Sequence, residues 1–220
     1  MQDIYEMNRH ESVAVAKIIK IETIYAASSI DCPELSYQDV QTMLYGLSVN
    51  NVPVKCMVTV LDVHNGWRKM LDLLDRQTDL DCMSEINSFA THYLAGGFAP
   101  PWEEKPIATE RRIGPDNASK ELNTLLSMDV CETEKALRLF LWCCQRKPFN
   151  LGNRRTGYLA ANRHLIATGR GVLVVVEDEM PTFRTLFAQF ELDGTDGELL
   201  DFLLEKCISG IIYGPPGAFV

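Results

Sequence analysis

Residues 147–158 read KPFNLGNRRTGY, and this stretch says most about how the chain folds. It lies between two segments of helical periodicity, the first of which must end before Pro148. Gly152 lets the backbone come close to a ligand, and the Asn153 amide can donate a hydrogen bond to an anion. A helix that begins near Arg155 directs free N–H groups and a positive dipole end at the same loop. The stretch therefore predicts a phosphate-type anion site at a loop–helix junction.

The charge pattern around this stretch agrees with an anion site. The chain has a net charge of −9, yet no Asp or Glu occurs between Ala136 and Val176. That window carries seven fixed positive charges: Arg138, Arg146, Lys147, Arg154, Arg155, Arg163 and Arg170. An acidic protein with one basic window is more typical of a small-anion binder than of a nucleic-acid binder. The alternative is a basic surface that carboxylates from elsewhere in the fold neutralise.

Composition indicates the class of protein. The contents of 46% hydrophobic and 23% charged residues are ordinary for one soluble globular domain. No apolar run of about 18 residues is present, so we expect no membrane-spanning helix, and the start MQDIYEMNRHES does not resemble a secretory signal. Seven scattered cysteines favour a reducing compartment, and the adjacent Cys143 and Cys144 lack zinc-site spacing. We therefore expect a cytoplasmic protein with no nucleic-acid partner, no membrane partner and no bound metal.

Helical periodicity dominates the rest of the chain. Helices are predicted from Met57 to Leu74, Met83 to Ala95, Glu132 to Arg146, Thr156 to Thr168, Pro181 to Glu191 and Leu199 to Ile208. The run from Val172 to Val176 is the strong strand signal, because four of its five residues are β-branched. Several prolines and a glycine exclude a long helix from Phe98 to Asn117. The prediction is one mainly helical domain with a small β element.

Residues 147–158 also resemble the signature of the Fic (Fic/Doc, or Fido) family, His-x-Phe-x-Asp/Glu-Gly-Asn-Gly-Arg-x-x-Arg. The residues kept in register are Pro148, Phe149, Gly152, Asn153, Arg155 and Thr156. The run that follows, TGYLAANRHLIATG, looks like the helix that continues the family's motif, and Ala27 to Gly46 resembles the segment that carries its inhibitory helix. The resemblance implies a single Fic-like domain over residues 1–220, with a degenerate inhibitory-helix-like segment within residues 1–50. It also implies a mainly α bundle with a small β-hairpin flap, here near Ile107 to Gly114.

The resemblance implies a reaction as well: transfer of AMP from ATP to a hydroxyl of a target protein. In that scheme the motif His is the general base, the acidic residue holds Mg²⁺, and the Gly-Asn-Gly loop and two arginines bind phosphates. The matching nucleotide-binding and phosphate-binding positions here are Gly152, Asn153, Arg154, Arg155, Thr156 and Tyr158. The catalytic positions are Lys147, at the place of the base, and Arg155.

Three positions of the loop depart from this pattern. Lys147 replaces the base, and its reference pKa near 10.4 must fall by about three units to give a neutral amine at pH 7. Leu151 stands at the metal-binding position and offers no oxygen ligand to Mg²⁺. Arg154 replaces the second glycine of the anion hole. The Doc branch of the family has a lysine there and transfers phosphate, but it keeps the base and the acid.

The regulatory pair implied by the resemblance is altered at both ends. Tyr158 stands where the second motif arginine belongs, and that arginine pairs in the family with an inhibitory Glu. The corresponding segment here has Ala27 for the Ser or Thr, Asp31 for the Glu and Cys32 for the Gly or Asn. Such paired changes are expected when no activity is left to restrain.

The predicted function is a degenerate Fic protein: a pseudoenzyme or regulatory binding module that retains a phosphate or nucleotide site. Loss of a general base costs about 10² to 10⁴ in rate, and loss of the metal costs several kcal/mol more. The alternative is an active adenylyltransferase or phosphotransferase that uses ATP, with Lys147 as a phosphate clamp or unusual base and Asp31 or Glu34 holding the metal. ATP is the expected nucleotide, Mg²⁺ is disfavoured, and a protein target or partner is expected.

Overall fold

Ten α-helices and one pair of short strands form the part of the chain that this computed structural model describes, residues 2–94 and 113–212. The helices are α1 (Arg9–Ile18), α2 (Lys20–Ser29), α3 (Tyr37–Leu44), α4 (Val54–Asp72), α5 (Leu80–Ala90), α6 (Pro115–Leu126), α7 (Glu132–Arg146), α8 (Asn153–Thr168), α9 (Met180–Asp193) and α10 (Gly197–Lys206). The strands β1 (Val172–Leu173) and β2 (Ile208–Ser209) pair antiparallel. The prediction of a mainly α fold with a small β element is confirmed.

Helix α8 lies at the centre of the bundle. Every residue from Arg155 to Ile166 is buried, as expected for a helix that neighbours surround on all sides. Its closest neighbour is α7. A Cβ atom at Gly157 would lie 2.7 Å from the Cβ of Cys143 and 2.9 Å from the carbonyl oxygen of Phe140, so the two backbones nearly touch. The loop of residues 147–152 therefore joins the two central helices.

The predicted helix boundaries differ from the observed ones mainly where a turn residue intervenes. Helix α8 begins one turn before Thr156, because Gly152 adopts left-handed geometry (φ 66°) and acts as the N-cap. Helix α5 ends at Ala90, where Thr91 forms the C-cap. Helix α10 ends at Lys206, and Ile208 belongs to β2. Sequence periodicity missed α1, α2, α3 and α6, although Pro115 in the first turn of α6 was an available start signal.

The strand signal from Val172 to Val176 yields only a two-residue strand. Side chains of α8 take the place of a third strand: the Leu173 N–H donates to Asn162 Oδ1 at 2.9 Å, and the Leu173 carbonyl accepts from the Tyr158 hydroxyl at 2.9 Å. The apolar run is therefore buried by a helix rather than by a sheet. The predicted flap near Ile107 to Gly114 falls outside the described residues, apart from its last two.

The N-terminal segment packs against β2, the end of α8 and the start of α7. The Tyr5 hydroxyl donates to the Ile208 carbonyl at 3.2 Å, and the Met7 N–H donates to the Gly169 carbonyl at 2.9 Å. Asp3 accepts from the backbone N–H of Thr133 at 2.9 Å, at the start of α7. These contacts place residues 3–7 beside the strands. None of the described helices combines the length and the apolar character needed to cross a membrane.

Gly169, the C-cap of α8, offers a test of this closure. Gly169→Ala is expected to destabilise the fold by about 3 kcal/mol or more, because its φ is 74° and the new Cβ would lie 2.0 Å from the Met7 carbonyl oxygen. The matched control is Gly46→Ala, where φ is 76° and no atom lies within 4 Å; its expected cost is about 1 kcal/mol. Urea unfolding measures both. Equal costs would show that Met7 does not pack against the α8 cap.

Candidate anion-binding site

The motif loop is held by its own backbone and by the Asn153 side chain. It begins at Lys147 (φ 50°), the left-handed C-cap of α7, and ends at Gly152. Asn153 Oδ1 accepts from the Phe149 N–H at 2.8 Å, and Asn153 Nδ2 donates to the Phe149 carbonyl at 2.8 Å. Both polar atoms of this amide are thus engaged within the loop. The Asn153 side chain shapes the loop, and the second N–H of its Nδ2 is the donor that its predicted role toward an anion would use.

Asn87 on α5 holds the same loop from outside. Its Nδ2 donates to the Leu151 carbonyl at 2.8 Å and to Thr156 Oγ1 at 2.9 Å. Thr156 is fully buried, so its hydroxyl supports the loop. Leu151 contributes a carbonyl that is already hydrogen-bonded and a side chain without a donor atom for a metal. The chemistry at this position does not fit Mg²⁺.

Arg155 is buried and pairs with Asp31. Its side chain is 4% exposed, and its Nε donates to Asp31 Oδ2 at 2.9 Å. Its Nη1 also donates to the Ala90 carbonyl at 3.3 Å. Asp31 lies in the turn that follows α2, two residues after its last residue Ser29, so this turn reaches the start of α8. The predicted inhibitory-like residue therefore does contact the motif, through Arg155 rather than through position 158.

Arg154 is held by two carboxylates. Its Nε and Nη2 donate to the two oxygens of Glu191 on α9, each at 2.8 Å, and its Nη1 lies 3.5 Å from Asp31 Oδ1. Its guanidinium carbon lies 5.9 Å from the centre of the Phe187 ring, a cation–π distance. Burial opposes the charge, but Glu191 and Asp31 outweigh it and raise the pKa of Arg154. Two arginines thus meet two acids, and sequence reasoning missed Glu191.

Lys147 lies at the edge of a cavity of about 440 Å³, a size suited to a small ligand. Its ammonium makes no hydrogen bond or ion pair with another residue in the described part of the chain. The cavity is lined by Cys144, Gln145, Lys147, Arg154 and residues 190–194, which end α9. Lys147 and Arg154 therefore line the same cavity. Arg155 does not line it and is paired with Asp31 instead.

Tyr158 lies outside this site, which corrects its predicted place among the phosphate-binding residues. It is fully buried, its hydroxyl donates to the Leu173 carbonyl at 2.9 Å, and its ring meets Phe140 edge-on at 5.5 Å. Position 158 points toward α7 and β1, where a charged side chain would have no partner. Burial accordingly raises the pKa of the Tyr158 hydroxyl.

The acid-free window is neutralised by acids from elsewhere in the fold, as the alternative interpretation states. Its arginines pair as Arg138 with Glu134 and Asp196, Arg146 with Glu121, Arg154 with Glu191 and Asp31, Arg155 with Asp31, and Arg170 with Asp3. Arg163 is buried and donates to the carbonyls of Leu73 and Arg76 after α4. Among the described residues, only Lys147 and Arg163 of this window lack a carboxylate partner. Lys147 is the more accessible of these two cations.

Comparison with known proteins places this geometry in a known fold. No protein-family model and no curated protein matches the sequence. The structure is similar to that of a fragment of Fic-1 from C. elegans, with a TM-score of 0.65 and 16% identity over 90% of this chain; the match spans only 63% of that fragment. It is also similar to a Fic domain containing signaling protein from Bacteroides thetaiotaomicron, with a TM-score of 0.57 and 13% identity over 88% of this chain and 80% of that one. This chain therefore has the fold of Fic-domain proteins.

Proposed function

We propose that this chain is a Fic-fold binding module that holds a small phosphate-type anion beside its motif loop and does not perform ordinary AMP transfer. The observation that carries the proposal is the cluster of Arg154 and Arg155 with Asp31 and Glu191, next to the cavity that Lys147 lines. Arginines stand at the phosphate-binding positions, and their guanidinium groups form ion pairs with carboxylates of this chain. An anion and these carboxylates would compete for the same guanidinium groups.

The chemistry of the loop supports binding rather than turnover. A lysine at the place of the base is an effective contact for phosphate, but it accepts a proton only when it is neutral. Leu151 supplies no oxygen for a metal. The two residues considered as substitutes are engaged elsewhere: Asp31 pairs with Arg155, and Glu34 accepts from the Cys56 thiol at 3.1 Å. These residues therefore do not form a ligand set for Mg²⁺, and we propose no Mg²⁺-dependent reaction.

The start of α8 supports a phosphate group as the ligand. The first N–H groups of this 16-residue helix have no carbonyl partner within the helix, and its dipole favours negative charge at this end. The Lys147 ammonium and the Arg154 guanidinium add two cations at the rim of the cavity. ATP, ADP and inorganic pyrophosphate all carry the required group, and we include ATP among the proposed ligands.

One observation favours the second candidate function, an active phosphotransferase or adenylyltransferase with altered residues. The Lys147 ammonium has no partner within the described residues and shares the cavity with Arg154. A lysine so placed could clamp a phosphate during transfer. In both candidate functions the protein acts on or with a partner protein.

Removing the competing acids is expected to tighten anion binding. We expect the double variant Asp31→Asn, Glu191→Gln to bind pyrophosphate or ATP, without Mg²⁺, at least about tenfold more tightly than the unmodified protein, because each change frees a guanidinium. Lys147→Ala is expected to weaken binding by a similar factor. Isothermal calorimetry at millimolar ligand measures the affinities.

The matched control for this experiment is Glu121→Gln. Glu121 also holds an arginine, Arg146, through a partly exposed ion pair, but it does not line the cavity beside Lys147. It should leave pyrophosphate affinity unchanged. The proposed site is wrong if no variant binds pyrophosphate or ATP, or if Glu121→Gln raises the affinity as much as the double variant does.

A further inference from the structure

Two cysteines and a glutamate converge on one spot near the end of α2. The thiol sulfurs of Cys32 and Cys56 and a carboxylate oxygen of Glu34 all lie within 4.8 Å of one another. Cys32 and Cys56 are each 1% exposed, whereas Glu34 lies at the surface. The cluster is therefore a buried pair of sulfurs with one oxygen that opens to solvent. It lies apart from the cavity beside Lys147, whose lining includes none of the three residues.

Separate elements hold these residues in place. The turn after α2 is fixed by the Cys32 N–H, which donates to the Ser28 carbonyl at 3.0 Å. Cys56 lies in the first turn of α4, where its N–H donates to the Pro53 carbonyl at 2.9 Å. The ligand atoms are thus positioned before any ion arrives, which lowers the cost of ordering them.

A buried hydroxyl group lies beside the two cysteines. The Thr59 hydroxyl, one turn along α4 from Cys56, faces the Cys32 thiol. Thr59 is 1% exposed, and the Cys32 thiol is its hydrogen-bonding neighbour. A thiolate accepts a hydrogen bond from a hydroxyl, so Thr59 would support Cys32 in the deprotonated form that binds a metal.

We propose that Cys32, Cys56 and Glu34 bind a thiophilic divalent cation, with Zn²⁺ as the best fit. Two thiolates and one carboxylate match the sulfur and oxygen ligands that zinc takes, and three protein ligands leave a fourth position for water. In a tetrahedral site with Zn–S bonds of about 2.3 Å, the ligand atoms lie about 3.5 to 3.8 Å apart. The Cys56 sulfur and the Glu34 oxygen are closer than this, at 3.1 Å, and no pair of ligand atoms is farther apart than 4.8 Å, so each distance must change by about 1 Å or less. Mg²⁺ and Ca²⁺ require more oxygen ligands than the cluster offers.

The position of the cluster gives the ion a structural effect. Cys32 follows Asp31 directly, so an ion on its sulfur would fix the turn that presents Asp31 to Arg155. This effect adds to the proposed function, but the metal site does not depend on it, since none of its three ligands contacts an anion-site residue through its side chain. Hydrogen exchange of residues 28–36 should slow when Zn²⁺ is added.

Cobalt spectroscopy on the full chain tests the site. Reduced protein titrated with Co²⁺ alone is expected to bind one ion per chain, with a thiolate-to-cobalt charge-transfer band that added Zn²⁺ removes. Cys32→Ser and Cys56→Ser are expected to weaken binding by at least about a hundredfold, and Glu34→Gln by about tenfold. Glu34→Gln guards against misfolding, because it changes an exposed side chain only. Cys82→Ser places a serine at another buried cysteine and should leave binding unchanged.

Three results would overturn this inference. The first is that reduced protein shows no charge-transfer band at any Co²⁺ concentration. The second is a band that persists in Cys32→Ser or Cys56→Ser, which would place the ion elsewhere. The third is a Cys32–Cys56 disulfide in the oxidised protein, seen as the loss of two hydrogen masses, together with no metal binding after reduction. That combination would assign the pair to redox chemistry instead.

Discussion

Incubation of the unmodified protein with Mg-ATP is expected to leave no adenylyl group on the protein itself or on the proteins of a lysate. Transfer at the α-phosphate needs a neutral acceptor for the proton of the target hydroxyl and a metal that bridges the phosphates. Lys147 and Leu151 occupy the two positions that would supply them, and Arg155 is held by Asp31. Intact-mass spectrometry, with adenylyl-specific labelling of the lysate, measures the outcome.

A restored variant should gain labelling. Lys147→His with Leu151→Asp returns the base and the acid, and Arg154→Gly reopens the anion hole; we expect a gain of at least about 10² over the unmodified protein. Adding Asp31→Ala frees Arg155 and should increase the gain. Tyr158→Arg, which would complete the family signature, is left out because position 158 is fully buried and a charge there would have no partner.

A contrary result would identify a catalytic lysine. If the unmodified protein labels itself or a lysate protein strongly, and Lys147→Ala abolishes the labelling, the chain is an active transferase. Lys147→Arg is the informative companion variant, because it keeps the positive charge and removes the ability to act as a base. Labelling that survives Lys147→Arg would indicate a phosphate clamp rather than a base.

The second large effect is on stability. Asp31→Ala is expected to lower the free energy of unfolding by about 3 kcal/mol, because it leaves the 4%-exposed Arg155 side chain charged and without its carboxylate. Asp75→Ala is the control. It breaks the ion pair with Arg9, in which the Asp75 side chain is 92% exposed, and should cost less than about 1 kcal/mol. Urea unfolding at pH 7 compares the two variants.

Added anion links this stability effect to the proposed site. Pyrophosphate should restore part of the stability that Asp31→Ala loses, since a phosphate can take the place of the missing carboxylate, and it should have no such effect on Asp75→Ala. A loss below about 1 kcal/mol in Asp31→Ala would mean that solvent already satisfies Arg155. If Asp31→Ala loses the full value of about 3 kcal/mol of unfolding free energy and pyrophosphate restores none of it, Asp31 stabilises Arg155 but does not compete with an anion for it.

The central helices could be predicted because their patterns are local. Leu137, Phe140, Leu141 and Cys144 repeat at helical spacing, and all four are buried on α7. Pro148 and Gly169 mark the ends of α7 and α8 in the sequence itself. By contrast, α8 has no apolar stripe, because it is surrounded on all sides, and its buried Arg163 satisfies carbonyls after α4 rather than an acid.

The partners in the site could not be predicted, because they come from distant parts of the chain. Asp31 is 124 residues from Arg155, and Glu191 is 37 residues from Arg154. Nothing in the sequence around Asn87 indicates a functional role, yet its side chain donates hydrogen bonds that hold the motif loop. The basic window looked available for an anion because a sequence shows where charges lie along the chain, whereas neutralisation depends on which elements pack together.

The contacts of residues 3–7 bear on how long the folded state lasts. They join residues far apart in sequence: Asp3 to Thr133 spans 130 positions, and Tyr5 to Ile208 spans 203. Closing such long loops costs conformational entropy, so we expect these contacts to form late in folding. Interactions that are absent from the transition state slow unfolding and leave the folding rate nearly unchanged. The contacts of residues 3–7 are therefore expected to slow unfolding and so to lengthen the lifetime of the native fold.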